Sequence, residues 1–170
     1  DIVETLGKKH YIGSANVDDN MLYAHGIDRI YDTFALESDF RDTDIFLGNF
    51  ASRLENRPYT TMEFLSVLGK ELCKVSKEDG IVTSAYKHKV PIFCPAVGDS
   101  SIGIGLAEHL HRHHKNFYFD VIGDVEKSAE FAIKAKKTAV IYVGGGTPKN
   151  FIQQTAVTAS IEGHDIGGHE

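Results

Sequence analysis

A unit that repeats three times builds the second half of the chain, and this repetition restricts the fold more than any other feature of the sequence. Each unit is a short apolar run, a polar or Gly-rich turn, and an amphipathic stretch of helical period. The run Val90–Cys94 leads to a helix over Ser100–His113, and Phe117–Ile122 leads to a helix over Val125–Lys136. Ala139–Val143 leads to a helix over Pro148–Ile161, with Thr147 as its cap and Pro148 in the first turn, where a missing N–H costs nothing. Successive strand–helix units of this length call for right-handed crossovers and a parallel sheet. The expected class is α/β, a parallel sheet with helices on both faces, and the three helix starts then line up along one carboxyl edge. That is the layout of a nucleotide site.

The first half, residues 1–88, reads as irregular and helical, and residues 89–170 as the repeated units of the same single domain. From His10 to Leu36 the turn signals Gly13, Asp18-Asp19-Asn20 and Gly26 interrupt any period; such a segment is functional or packed against another subunit. Ile27–Phe34 reads as one short edge strand. Ile45, Phe46, Phe50 and Leu54 mark a helix over Asp42–Leu54. Thr60 and Glu63 have the spacing of a capping box, opening a helix with Phe64, Leu65, Leu68 and Leu72 on its apolar face. A short helix follows within Ser76–His88. The chain starts at Asp1 inside a helical pattern and ends on Gly167-Gly168-His169-Glu170, a turn that looks ready to feed another strand, so a fragment is expected.

A net charge of -6 argues against nucleic acid, whose phosphates need a basic face. No apolar span is long enough for a membrane, and Cys73 and Cys94 sit in apolar-patterned segments as reduced, buried thiols would. A cytoplasmic protein is the expectation.

Two turns carry the candidate chemistry. In the first, Gly98-Asp99-Ser100-Ser101 precedes Gly103 and Gly105. The run Gly103–Glu108 nearly fits the dinucleotide fingerprint, but Glu108 replaces its last glycine and the glycines fall inside the helix. Either the serines cap the helix and the glycines allow close packing, or Asp99 and the serines bind a nucleotide ribose or phosphate. The second turn is Gly144-Gly145-Gly146-Thr147-Pro148-Lys149-Asn150. Three glycines at a strand end let a backbone approach a ligand closely, which a plain tight turn rarely needs. His109 and His113 stand four apart on a helix, but with His111 and His114 they read as a cationic helix end favoured by the dipole, and no metal site is assigned. Asp120 and Asp124 read as a solvated cap. His164 and His169 lie too near the end of the chain to judge.

The segments VPIFCPAVGDSSIG, FYFDVIGDV and AVIYVGGGTPKNFI resemble deoxyhypusine synthase, in order and at similar intervals. The match extends back through LGKEL at Leu68–Leu72 and HGIDRI at His25–Ile30, and Asp1-Ile2 resembles the end of an acidic turn of that family. The bacterial deoxyhypusine synthase-like branch is the most similar in character.

The resemblance implies a Rossmann-like fold of the sirtuin type, a homotetramer with active sites at dimer interfaces, and NAD as cofactor. It further implies oxidation of a polyamine such as spermidine or putrescine, with the aminobutyl group passed to a protein lysine or a small amine, as in homospermidine formation. By position, Asp99, Ser100, Gly144, Gly145 and Gly146 would bind the cofactor, and Ser101, Ile104 and Asn150 would face the substrate. Ile104 stands where the family carries a second aspartate, and Asn150 where it carries a histidine, which favours a different amine. The nucleophilic lysine is expected downstream of Glu170, so no catalytic residue is assigned here. A non-catalytic NAD-binding or assembly module is the alternative. A sirtuin-like deacylase is disfavoured, since two cysteines cannot make a four-cysteine zinc site.

Overall fold

The computed structural model describes residues 1–167. In chain order its elements are α1 (Ile2–Thr5), β1 (Tyr11–Ile12), α2 (Asp19–Ala24), β2 (Ile27–Ile30), β3 (Thr33–Leu36), α3 (Glu37–Ser52), α4 (Thr61–Val75) and α5 (Ile81–His88). A short 3-10 turn (Val97–Asp99), α6 (Ser101–His113), α7 (Val121–Lys134), α8 (Thr147–Gln153) and α9 (Thr155–Ile161) follow. No helix among the described residues is long and apolar enough to cross a membrane.

The core forms on α4, and its start is as the spacing predicts. The Thr60 hydroxyl accepts the Glu63 N–H at 3.1 Å while the Glu63 carboxylate accepts the Thr60 N–H at 3.2 Å. The remaining donors of the first turn go to a distant side chain: Asp124 of α7 accepts from Thr61 N at 2.8 Å and from Met62 N at 3.2 Å. A carboxylate here also meets the positive end of the helix dipole. Asp124 is therefore a cap, as expected, but for another helix and only 2% exposed instead of solvated. From this start α4 sends Phe64, Leu68 and Leu72 into a cluster with Leu47 and Phe50 of α3 and Leu106 of α6. The Phe64 ring lies edge-on to Phe50, Phe117 and Phe119, with centroids 5.7, 5.4 and 5.3 Å away. A second long-range cap fixes α5, where the Asp1 carboxylate accepts from Ile81 N at 2.7 Å and Val82 N at 3.1 Å.

Helices α3 and α6 cross where neither has a side chain. A Cβ on Gly105 would lie 3.1 Å from the Leu47 Cβ, and one on Gly48 would lie 3.4 Å from the Gly105 carbonyl oxygen. The same crossing buries His109 to 2% exposure, and its Nδ1 has no hydrogen-bond partner among the described residues. Burial, then the neighbouring His113, pushes the His109 pKa below the usual histidine range; a hydrogen bond with the Gly48 backbone opposes this, and Lys115 adds to it. The cationic helix end expected from the sequence thus excludes His109, which the fold prefers neutral.

The expected parallel sheet is not formed among the described residues. The sheet present is antiparallel and three-stranded, in the order β1-β3-β2, within the stretch read as irregular. Ile30 pairs with Thr33 across Tyr31 and Asp32, so the single predicted strand Ile27–Phe34 is a hairpin. Of the three predicted parallel strands, Phe117–Ile122 contributes one parallel bridge, Tyr59 to Phe119, with Tyr59 N on the Tyr118 carbonyl at 3.1 Å and Asp120 N on the Tyr59 carbonyl at 2.8 Å. It stops there because the Asp120 carboxylate accepts Gly123 N–H at 2.8 Å and starts α7 at Val121, four residues before the predicted Val125. Val90–Cys94 is held by a side chain instead of a ladder, Cys94 N donating to the Thr61 hydroxyl at 2.8 Å. A 470 Å³ cleft lined by Leu65, Tyr86, Val90, Ile92 and Phe131 runs beside it. In Ala139–Val143, Ile141 is 91% and Val143 97% exposed. A parallel strand is stable only with paired edges and covered faces, and this segment has neither among the described residues. The last predicted helix divides at Gln154 into α8 and α9, the latter packing on α7. The expected Gly-rich tail beyond Gly167 lies outside the described residues.

The caps differ in predicted weight. Asp124→Ala strips two charged hydrogen bonds from a buried helix start and lowers stability by about 3 kcal/mol, whereas Asp120→Ala removes one exposed cap worth about 1 kcal/mol. Urea denaturation of both variants checks this, and equal losses would refute the ranking. His109 predicts a pH effect as well. Its folded-state pKa lies below the ordinary value of 6.5, so the unfolded chain binds the extra proton and the stability is full above that pH. It drains away as pH falls through the folded-state pKa. Unfolding midpoints from pH 8 to 5 should show this slope in the wild type and a flatter one in His109→Gln; parallel curves would contradict it.

Candidate functional site

The first turn is fixed by backbone and hydroxyl bonds. The Ser100 hydroxyl donates to the Val97 carbonyl at 2.6 Å and accepts the Gly103 N–H at 3.2 Å, so it closes the 3-10 turn and caps α6 together. Gly103 is needed there, since a Cβ would lie 2.6 Å from the Val97 carbonyl oxygen, and Gly105 is needed by α3. The capping-and-packing account therefore holds for Ser100, Gly103 and Gly105, with the packing partner a helix instead of a sheet. Asp99 is exposed in the 3-10 turn and Ser101 is exposed at the first residue of α6. Ile104, one turn along the helix, is 62% exposed. Both polar side chains and this apolar one are turned outward.

The glycine turn is also open. Gly144 and Gly146 adopt φ of +87° and +79°, conformations that L side chains rarely take, so the path of the chain itself requires them. Gly145 is different. Its φ is not in the left-handed region, and a Cβ there would meet nothing within 4 Å. Gly98, in the first turn, shares both properties. Nothing within the described residues demands glycine at either place. Asn150 is exposed on α8, with its N–H on the Gly146 carbonyl at 3.2 Å, and the Lys149 ammonium lies 5.8 Å from the Tyr142 ring centre.

Phe93 is the link between the turns that the sequence reading missed. Its ring centroid lies 5.7 Å from that of Phe151 in α8 and 6.2 Å from that of Phe131 in α7. The apolar run leading into Asp99 thus packs on the helix leading out of Gly146. Phe93 stands in an apolar run and Phe151 within a helix, so no repeated spacing signalled the contact. Cys73 and Cys94 are free and half-buried, and burial pushes the Cys94 thiol up, so Cys94 is not set up as a thiolate. The histidine patch sits at the far end of α6. His164 follows α9, and His169 lies outside the described residues.

A family model described as deoxyhypusine synthase matches residues 1–167, which includes both turns. "Probable deoxyhypusine synthase 2" of Methanosarcina mazei is 51% identical over 168 residues, covering 98% of this chain and 48% of that protein. The "Deoxyhypusine synthase-like protein" of Coxiella burnetii is 42% identical over 173 residues, covering 100% of this chain and 49% of its own. The chain therefore spans about half the length of the curated relatives it matches. A crystal structure from Entamoeba histolytica described as a deoxyhypusine synthase superposes with a TM-score of 0.58 at 24% identity, over 66% of this chain and 40% of that one. At that identity the likeness concerns the fold.

Proposed function

The chain belongs to the deoxyhypusine synthase family, and on that premise we propose that the whole protein is an NAD-dependent aminobutyl transferase acting on a polyamine such as spermidine or putrescine. The observation that carries this reading is the match of the family model across both turns. Bound NAD would supply the hydride acceptor; the protein supplies placement.

The residues present fit such a cofactor. Gly98 and Gly145 are glycines without a structural demand in this chain, one in each turn, as close approach by a ligand would require. Gly144 and Gly146 shape the backbone around Gly145. The exposed Asp99 carboxylate suits a ribose hydroxyl, and Ser100 holds that turn in shape. Ser101, Ile104 and Asn150 would face the amine. Ile104, which gives an amine nitrogen no charge partner, and Asn150 together support an amine substrate or acceptor different from that of the true synthases, such as a small amine in place of a protein lysine. In this reading the nucleophilic lysine belongs to the protein beyond Glu170, and a homotetramer assembles the sites. Further strands pair with Ala139–Val143 and complete the Rossmann-like sheet; its uncovered Ile141 and Val143 support this.

Incubating the full-length gene product with NAD and spermidine or putrescine, followed by mass spectrometry, tests the reaction. Release of 1,3-diaminopropane, or formation of homospermidine, is expected. If NAD binds and Asp99→Ala abolishes that binding while no polyamine is consumed, the transferase reading fails and a binding module remains. The glycine argument has its own test. Gly145→Ala should leave stability unchanged or raise it by up to about 1 kcal/mol, yet weaken NAD binding at least tenfold. Unchanged NAD affinity would remove Gly145 from the site.

A further inference from the structure

We propose that His109 and His113 form a clamp for a divalent cation of the zinc, nickel or copper(II) class at the C-terminal end of α6, apart from the glycine turns. The two residues are one helical turn apart, and their ring centroids lie 5.1 Å from each other with the planes tilted by 37°. A metal–nitrogen bond of about 2.05 Å plus about 1.15 Å from nitrogen to ring centre puts each centroid about 3.2 Å from a shared ion. Angles at the metal of about 90° to 109° then separate the centroids by about 4.5 to 5.2 Å. The observed spacing falls within that range.

The protonation state also suits a ligand. His109 is 2% exposed and prefers the neutral form, because burial and His113 both oppose its charge. Its Nδ1 is buried without any partner among the described residues. An orphaned buried nitrogen has a cost, which a cation would remove. A 250 Å³ cavity lined by His109, Glu55, Asn56, Arg57 and Lys115 reaches the ring from one side, and His113, outside that lining, is exposed. No set of three His, Cys, Asp or Glu side chains gathers among the described residues, so water would complete the coordination. Imidazole donors with open positions favour nickel, copper and zinc over magnesium and calcium. Lys115 and Arg57, the positive groups that line the cavity with His109, oppose the cation and limit the affinity.

Titration of the full-length gene product with zinc chloride and with nickel chloride, followed by calorimetry at pH 7.5, tests the clamp. One cation per chain with micromolar affinity is expected, weakening as the pH is lowered because metal binding releases protons. His113→Gln changes an exposed residue and should weaken binding at least tenfold in a chain with unaltered circular dichroism. His111→Gln and His114→Gln should bind as the wild type does. His109→Gln should also lose binding; if it unfolds, His113→Gln decides alone. No saturable binding, full affinity in His113→Gln, or loss of binding in His111→Gln, His114→Gln or His164→Gln would each overturn the proposal.

Discussion

One buried carboxylate joins the two halves of this chain. Asp124 on α7 occupies the first turn of α4, and α4 is the helix on which the aromatic and aliphatic core is built. Thr61, beside it, gives its backbone N–H to Asp124 and accepts the Cys94 N–H on its hydroxyl. The start of α4 therefore sets the position of α7 and of the extended segment that leads into Asp99. Both candidate turns inherit their placement from this junction, one along Cys94 and the other through α7 and the Phe93–Phe151 contact. The arrangement is strong because the donors are buried and the acceptor is charged, so that losing either side strands a polar group away from water.

The glycines fall into groups that only their surroundings distinguish. Gly48, Gly69 and Gly105 are places where two helices meet; a Cβ on Gly69 would lie 2.7 Å from the Val82 carbonyl oxygen of α5. Gly144 and Gly146 answer to backbone conformation. Gly98 and Gly145 answer to neither. A turn with both conformational and unexplained glycines is shaped by its own chain and open to something outside it.

Much of this was legible where the determining contacts are local. The Thr60–Glu63 box needs only a spacing of three, and α4 begins where that spacing says. Asp120 and Gly123 carry the same kind of signal, but Val121 and Ile122 are apolar enough to read as the end of a strand, and Ile122 is exposed on α7. The hairpin was hidden because Tyr31 and Asp32 are not a usual turn pair; Tyr31 takes φ of 57°, which a bulky side chain seldom does. The sheet lay beyond reach for another reason. An apolar run states that a segment wants burial, whereas its pairing depends on what lies alongside. In the candidate site the Ser100 cap was within reach, since its bonds to Val97 and Gly103 each span three residues, but not that His109 is buried at a helix crossing, which depends on α3 across an interface.

The Asp124 cap also has a consequence in time. It acts over 63 residues of sequence, and a ribosome adding about 5–20 residues per second leaves roughly 3–12 s between the synthesis of α4 and that of its partner. During that interval the first turn of α4 has only the Thr60–Glu63 box, and the apolar face carrying Phe64 waits for Phe117 and Phe119. The nascent chain thus passes through a stage in which its central helix is half-capped and half-covered. That is the stage at which a chaperone would find most to hold.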